Sequence, residues 1–160
     1  MTNPLNNLSS LPQFSAIKPE HIQPAIEEAI QACKSKITKT LSQSNYTWHD
    51  LVAPIEEIDD ELSRKWSPVS HMNSVISNDA LREAHDACLP ALSEYGTWVG
   101  QNADLYEADG VIASSNEFAD LSQAQQKVIT HALRDFKLSG VALDNDKKGR
   151  YAEVKSRLSD

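Results

Sequence analysis

Apolar residues recur at spacings of three and four along most of this chain, with polar interruptions between the runs, and sustained alternation is absent. That is the pattern of amphipathic helices packed against one another, so the fold class predicted is all-α. After Pro19 and Pro24, which fall in a helical first turn, Ile22, Ile26, Ala29, Ile30, Cys33, Ile37 and Leu41 define the first stripe. Asn45, Tyr46 and Thr47 interrupt it, and Thr47-x-x-Asp50 resembles a capping box that opens a second helix with Leu51, Ile55, Ile58, Leu62 and Trp66 on one face. Ser67-Pro68 predicts a kink or break there, after which Val69, Met72 and Val75 or Ile76 resume the spacing.

Further along, Ser77-Asn78-Asp79 offers a polar start for Leu81, Ala84, Cys88, Leu92, Tyr95 and Val99. That stripe contains Pro90, Gly96 and Gly100, so it predicts a bent helix or two stacked pieces. From Asp109 to Asp120 no period is visible, and a surface connection with one helical turn around Val111 is expected. Ser122-x-x-Gln125 is a full capping box, followed by Val128, Ile129, Ala132, Leu133 and Phe136 and closed by Gly140. Leu143-Asp144-Asn145-Asp146 begins a last helix with Tyr151, Val154 and Leu158 on one face, and that helix carries no stop signal before Asp160. The expectation is a bundle of about five to seven helices, some kinked at proline, with no significant sheet. Residues 1–13, with Pro4 and Pro12 around a polar stretch, read as an extended arm, and 14–160 as a helical region truncated within its last helix.

The 160 residues have the length of one ordinary domain. Their net charge of −8 would repel a phosphate backbone or anionic lipid, which argues against nucleic acid and membrane surfaces as partners. Local basic clusters, Lys34/Lys36/Lys39 and Lys147/Lys148/Arg150, lack interleaved aromatics and read as solvated helix faces. The first ten residues have neither a basic n-region nor a continuous apolar h-region, and no run reaches the roughly 18 apolar residues of a membrane span. Cys33 and Cys88 both fall at apolar phases and behave as small hydrophobes, so a cytoplasmic protein is expected.

Chemistry is sparse. None of His21, His49, His71, His85 and His131 begins an H-E-x-x-H or sits in a Glu-x-x-His. His49-Asp50 and His85-Asp86 come closest, but Ala53 and Leu89 occupy the place of the second histidine. The acidic run Glu56, Glu57, Asp59, Asp60 and Glu61 lies between Ile55, Ile58 and Leu62 and reads as a solvated helix face rather than a calcium loop. The segment Trp66–Ser74 combines an indole, a proline and several hydrogen-bonding side chains. It either lines a cleft or satisfies the backbone groups freed by Pro68. No catalytic, cofactor-binding or metal residue is assigned.

Three segments together carry a resemblance: Phe14–Ile26, Arg64–Ser74, and Leu92–Gly100 with Leu133–Gly140. They resemble the N-terminal region of zinc metallopeptidases of the thimet oligopeptidase type, oligopeptidases A included, over essentially the whole chain but only the opening of such a protein. The resemblance implies a helical enzyme whose channel admits short peptides. In it zinc, held by an H-E-x-x-H helix and a further Glu, activates a water molecule, with the motif Glu as general base. Those residues lie downstream in the family, so none transfers here. The implied role of the present helices is a channel wall that packs against the missing C-terminal catalytic region, without zinc or hydrolytic activity of its own. A stand-alone helical interaction module is the alternative, while a metal-storage or redox protein is disfavoured by the absent ligand spacings.

Overall fold

A computed structural model describes residues 3–159. Among them are seven helices of eight residues or more and a four-residue helical turn, with no strand. The helices are α1 (Pro19–Leu41), α2 (Ala53–Val75), α3 (Asp79–Asp86), α4 (Leu89–Gly100), α5 (Ala103–Ala113), the short α6 (Glu117–Asp120), α7 (Gln123–Leu138) and α8 (Asn145–Ser159). The all-α expectation holds.

The long first helix organises the rest. Its buried positions, Ile22, Ala25, Ile26, Ala29, Ile30, Cys33 and Ile37, form one continuous stripe, and the N-terminal half of that stripe meets Leu62, Val69 and Met72 of α2, Leu81 of α3 and Tyr95 of α4. Its C-terminal end, through Ile37, joins a second cluster built from Leu51, Ile55, Leu105, Ile112, Ile129 and Phe136. Trp98 and Val99 of α4 pack against both clusters, which makes α4 the seam between them.

Helix starts follow the capping signals. Thr47 Oγ1 accepts from Asp50 N at 3.0 Å and opens a π-helical turn, Trp48–Val52, that feeds into α2. Ser122 Oγ accepts from Gln125 N while Gln125 Oε1 accepts from Ser122 N, the reciprocal capping box. Gly140 adopts φ +81°, with Val141 N donating to Phe136 O and Gly140 N to Lys137 O, so α7 ends in a Schellman motif. The stripe from Leu81 to Val99 resolves into two pieces, α3 and α4, and Pro90 sits in the first turn of the second.

Four expectations need correction. α2 is not broken at Pro68 but continues through it, with the proline buried. The apolar stripe of α2 ends at Met72, since Val75 and Ile76 are exposed. Pro24 lies inside α1, past its first turn, and only Pro19 stands at the helix start. The largest miss lies in the connection expected from Asp109 to Asp120, where Asp109–Ala113 are the second half of a full helix, α5, capped by Asn102 Oδ1 accepting from Leu105 N, and Glu117–Asp120 form the short α6. The buried face of α5 is Leu105, Ala108, Asp109 and Ile112, and a carboxylate in that face hides the apolar period.

The arm is docked through residues 3–8 and is not wholly extended, because Pro4–Asn6 form a 3-10 turn, while Leu11 is exposed. Leu5 is buried in the first cluster, Asn3 Nδ2 donates to His21 O, and Arg64 of α2 donates to Leu8 O.

Candidate functional site

Three helices each present a stripe with the spacing i, i+3, i+4, i+7 to one open space. From α2 come Asp59, Leu62, Ser63 and Trp66; from α4, Leu92, Tyr95, Gly96 and Val99; from α7 and its cap, Ala132, Asp135, Phe136 and Ser139. The result is a largely apolar groove of about 510 Å³. A second lobe of about 470 Å³ shares Trp66, Leu92, Gly96 and Ser139 and is closed on its far side by Tyr151, Lys155 and Leu158 of α8.

The groove has a buried, hydrogen-bonded floor. Tyr95, nearly buried, donates its hydroxyl to Asp59 Oδ1 at 2.6 Å. Burial, and then that bond, push the phenol far above its ordinary range, so it stays a hydrogen-bond donor at every physiological pH. Cys33 lies beneath, fully buried, with Sγ donating to Ile58 O. Burial raises its thiol to about 11, and Cys88 likewise to about 11, so neither is a thiolate nucleophile at neutral pH.

Two glycines shape the wall. At Gly96 an added Cβ would meet nothing within 4 Å. At Gly100 it would lie 2.7 Å from both Cβ and Oγ of Ser139, so α4 and the end of α7 approach as closely as they do because that residue has no side chain.

Trp66 therefore does line a cleft, and on its other side it stacks on His85 with centroids 4.8 Å apart. The hydrogen bonds expected around Pro68 take a different form, with Ser74 Oγ donating to Ser70 O one turn further on. The histidines are dispersed. His21 Nδ1 accepts from Lys18 N at the start of α1, His71 faces Phe14, His85 pairs with Asp86 at 2.8 Å, and His49 and His131 are exposed. Among the described residues no three His, Cys, Asp or Glu side chains are grouped so as to hold a metal ion.

In the acidic run, Glu56, Glu57, Asp60 and Glu61 are exposed as expected, while Asp59 turns inward to Tyr95. The carboxylate that sequence reasoning placed in a surface loop, Asp109, is buried on α5. Burial, and then the neighbouring Glu56, push it up to about 7. The basic clusters are locally paired, Lys34 with Glu94, Lys147 with Asp144 and Arg150 with Glu153, in keeping with solvated faces. No helix among the described residues is long and apolar enough to cross a membrane.

The described residues thus form an all-α region with an open, largely apolar groove between three of its helices. Comparison with known proteins gives that region its family. The chain matches the model of the neurolysin/thimet oligopeptidase N-terminal domain over residues 24–148, and it belongs to that family. It is 52% identical over 160 residues to oligopeptidase A of Haemophilus influenzae and 47% identical over 161 residues to oligopeptidase A of Escherichia coli, covering 100% of this chain in each case but 24% of the relative. A probable cytosolic oligopeptidase A of Arabidopsis thaliana is 27% identical over 157 residues. The chain thus spans about a quarter of the length of the curated bacterial relatives it matches.

Proposed function

We propose that this chain is the N-terminal helical region of a cytoplasmic, zinc-dependent oligopeptidase that hydrolyses short peptides within a channel, and that it builds part of the channel wall. The observation that carries this reading is the match to relatives named oligopeptidase A along the entire chain, at 47–52% identity, within their first quarter. Side-chain placement supports a wall and not a centre of reaction. The cysteines are buried and protonated, the histidines lie apart, and the groove between α2, α4 and α7 is largely apolar. On this reading zinc and the attacking water are supplied by the C-terminal region, and these helices limit which peptides reach them.

A fluorogenic short peptide incubated with the complete gene product and with residues 1–160 tests the proposal. Cleavage by the complete protein that a zinc chelator abolishes, and none by the shorter chain, is the expected result. Zinc-dependent hydrolysis by residues 1–160 alone would overturn it.

A further inference from the structure

We propose that the hollow between the N-terminal arm and α2 binds the C-terminal residue of an apolar peptide, with its free carboxylate on Arg64 and its side chain against Leu5, Leu8, Ile17 and Pro68. This goes beyond the peptidase reading and does not need it, since the site is made of the described residues alone and calls for no hydrolysis.

Two segments build the hollow. Pro4, Leu5 and Leu8 of the arm and Ile17 ahead of α1 face Arg64 and Pro68 of α2 across about 170 Å³. Leu5, Ile17 and Pro68 are buried and give it an apolar wall. An apolar cavity of about 150 Å³ takes a molecule the size of benzene, so a branched aliphatic side chain fits here.

Charge decides what else the ligand carries. Although the chain has a net charge of −8, none of the described residues that border the hollow is acidic, and Arg64 is the one charged group among them. Its guanidinium donates through Nη2 to Leu8 O and pairs with no carboxylate among the described residues, so it is held in place with four of its five N–H groups left over. An anchored guanidinium beside an apolar hollow is complementary to a carboxylate on an apolar body, which it can meet through two parallel hydrogen bonds.

Uncharged polar groups favour a peptide end over a simple fatty acid. Asn7, Gln13 and Ser67 border the same hollow and offer amides and a hydroxyl to the N–H and C=O of a peptide bond, which an alkanoate lacks. Occupancy also has a consequence for the arm. A ligand that bridges the arm and Arg64 binds only while the two are together, so it suppresses local opening of the arm by mass action.

The test is hydrogen exchange of the complete gene product, followed by mass spectrometry across residues 3–13 with and without N-acetyl-leucine. Exchange there is expected to slow as ligand is added, by about fivefold or more at the top of a millimolar titration. N-acetyl-leucinamide, which has no carboxylate, is expected to leave it unchanged. Equal slowing by the amide, or none by the acid, overturns the proposal, and slowing by hexanoate as strong as by N-acetyl-leucine overturns it in favour of a fatty acid. Arg64→Gln removes the anion partner but also frees Leu8 O, so Ser67→Trp is the second variant, filling the hollow while leaving the Arg64–Leu8 bond in place. Loss of the ligand's effect in both is the expected result, and a response that survives in either places the ligand elsewhere and overturns the proposal. Peptide hydrolysis is no part of the readout, so failure of the peptidase reading would leave the outcome standing.

Discussion

Replacing Asp109 by Asn is expected to stabilise the protein at alkaline pH and to do little in acid. Asp109 is 7% exposed on the face of α5 that packs into the second cluster, and burial followed by Glu56 raises it from 3.8 to about 7. Between those values the unfolded chain is ionised and the folded one holds its proton, so stability falls as pH rises through this window and the loss is complete above the folded value. A rise of that size corresponds to about 4 kcal/mol at pH 8 or above. Asn keeps the polarity but removes the charge, and since a buried amide costs about as much as the buried protonated acid it replaces, most of that, about 4 kcal/mol, should be recovered. For a protein of this length that is a Tm increase of about 12 °C at pH 8, shrinking to almost nothing near pH 4. Thermal unfolding of the parent and the D109N protein from pH 4 to 8.5 measures the difference. A gap that does not widen with pH, or a variant less stable than the parent at pH 8, would refute the reasoning.

Two other substitutions probe the groove's construction. Gly100→Ala forces a Cβ to within 2.7 Å of Ser139, so α4 and the α7 cap must separate, with an expected loss of about 1–3 kcal/mol in chemical denaturation. No loss would mean that the approach yields freely. Tyr95→Phe leaves Asp59 without its 2.6 Å donor, and about 1–3 kcal/mol should disappear with little change in helical content by circular dichroism. Unchanged stability would show that water replaces the hydroxyl at no cost.

Much of the fold was legible because short-range chemistry determines it. The Ser122-x-x-Gln125 box and Gly140 bracket α7 as their hydrogen-bonding and φ preferences require, and the α1 stripe from Ile22 to Ile37 is buried as its period predicts. α5 escaped notice because Asp109 occupies a core position, where the period demands an apolar residue and the tertiary environment tolerates a protonated acid. Pro68 failed to break α2 because its ring is packed in the interior, where burial offsets the missing hydrogen bond. The groove was legible only in part. Each of its three stripes is visible along its own helix, and Trp66 was a cleft candidate, but their convergence depends on how α2, α4 and α7 meet, which no local pattern encodes.

The claim that this is the opening of a peptidase is tested most directly by reading the source gene in frame beyond codon 160. The account predicts a continuous frame that enters a helix bearing H-E-x-x-H and, further on, another Glu, the set that holds zinc and activates water. A stop codon directly after Asp160, or a long continuation without that motif, would contradict it.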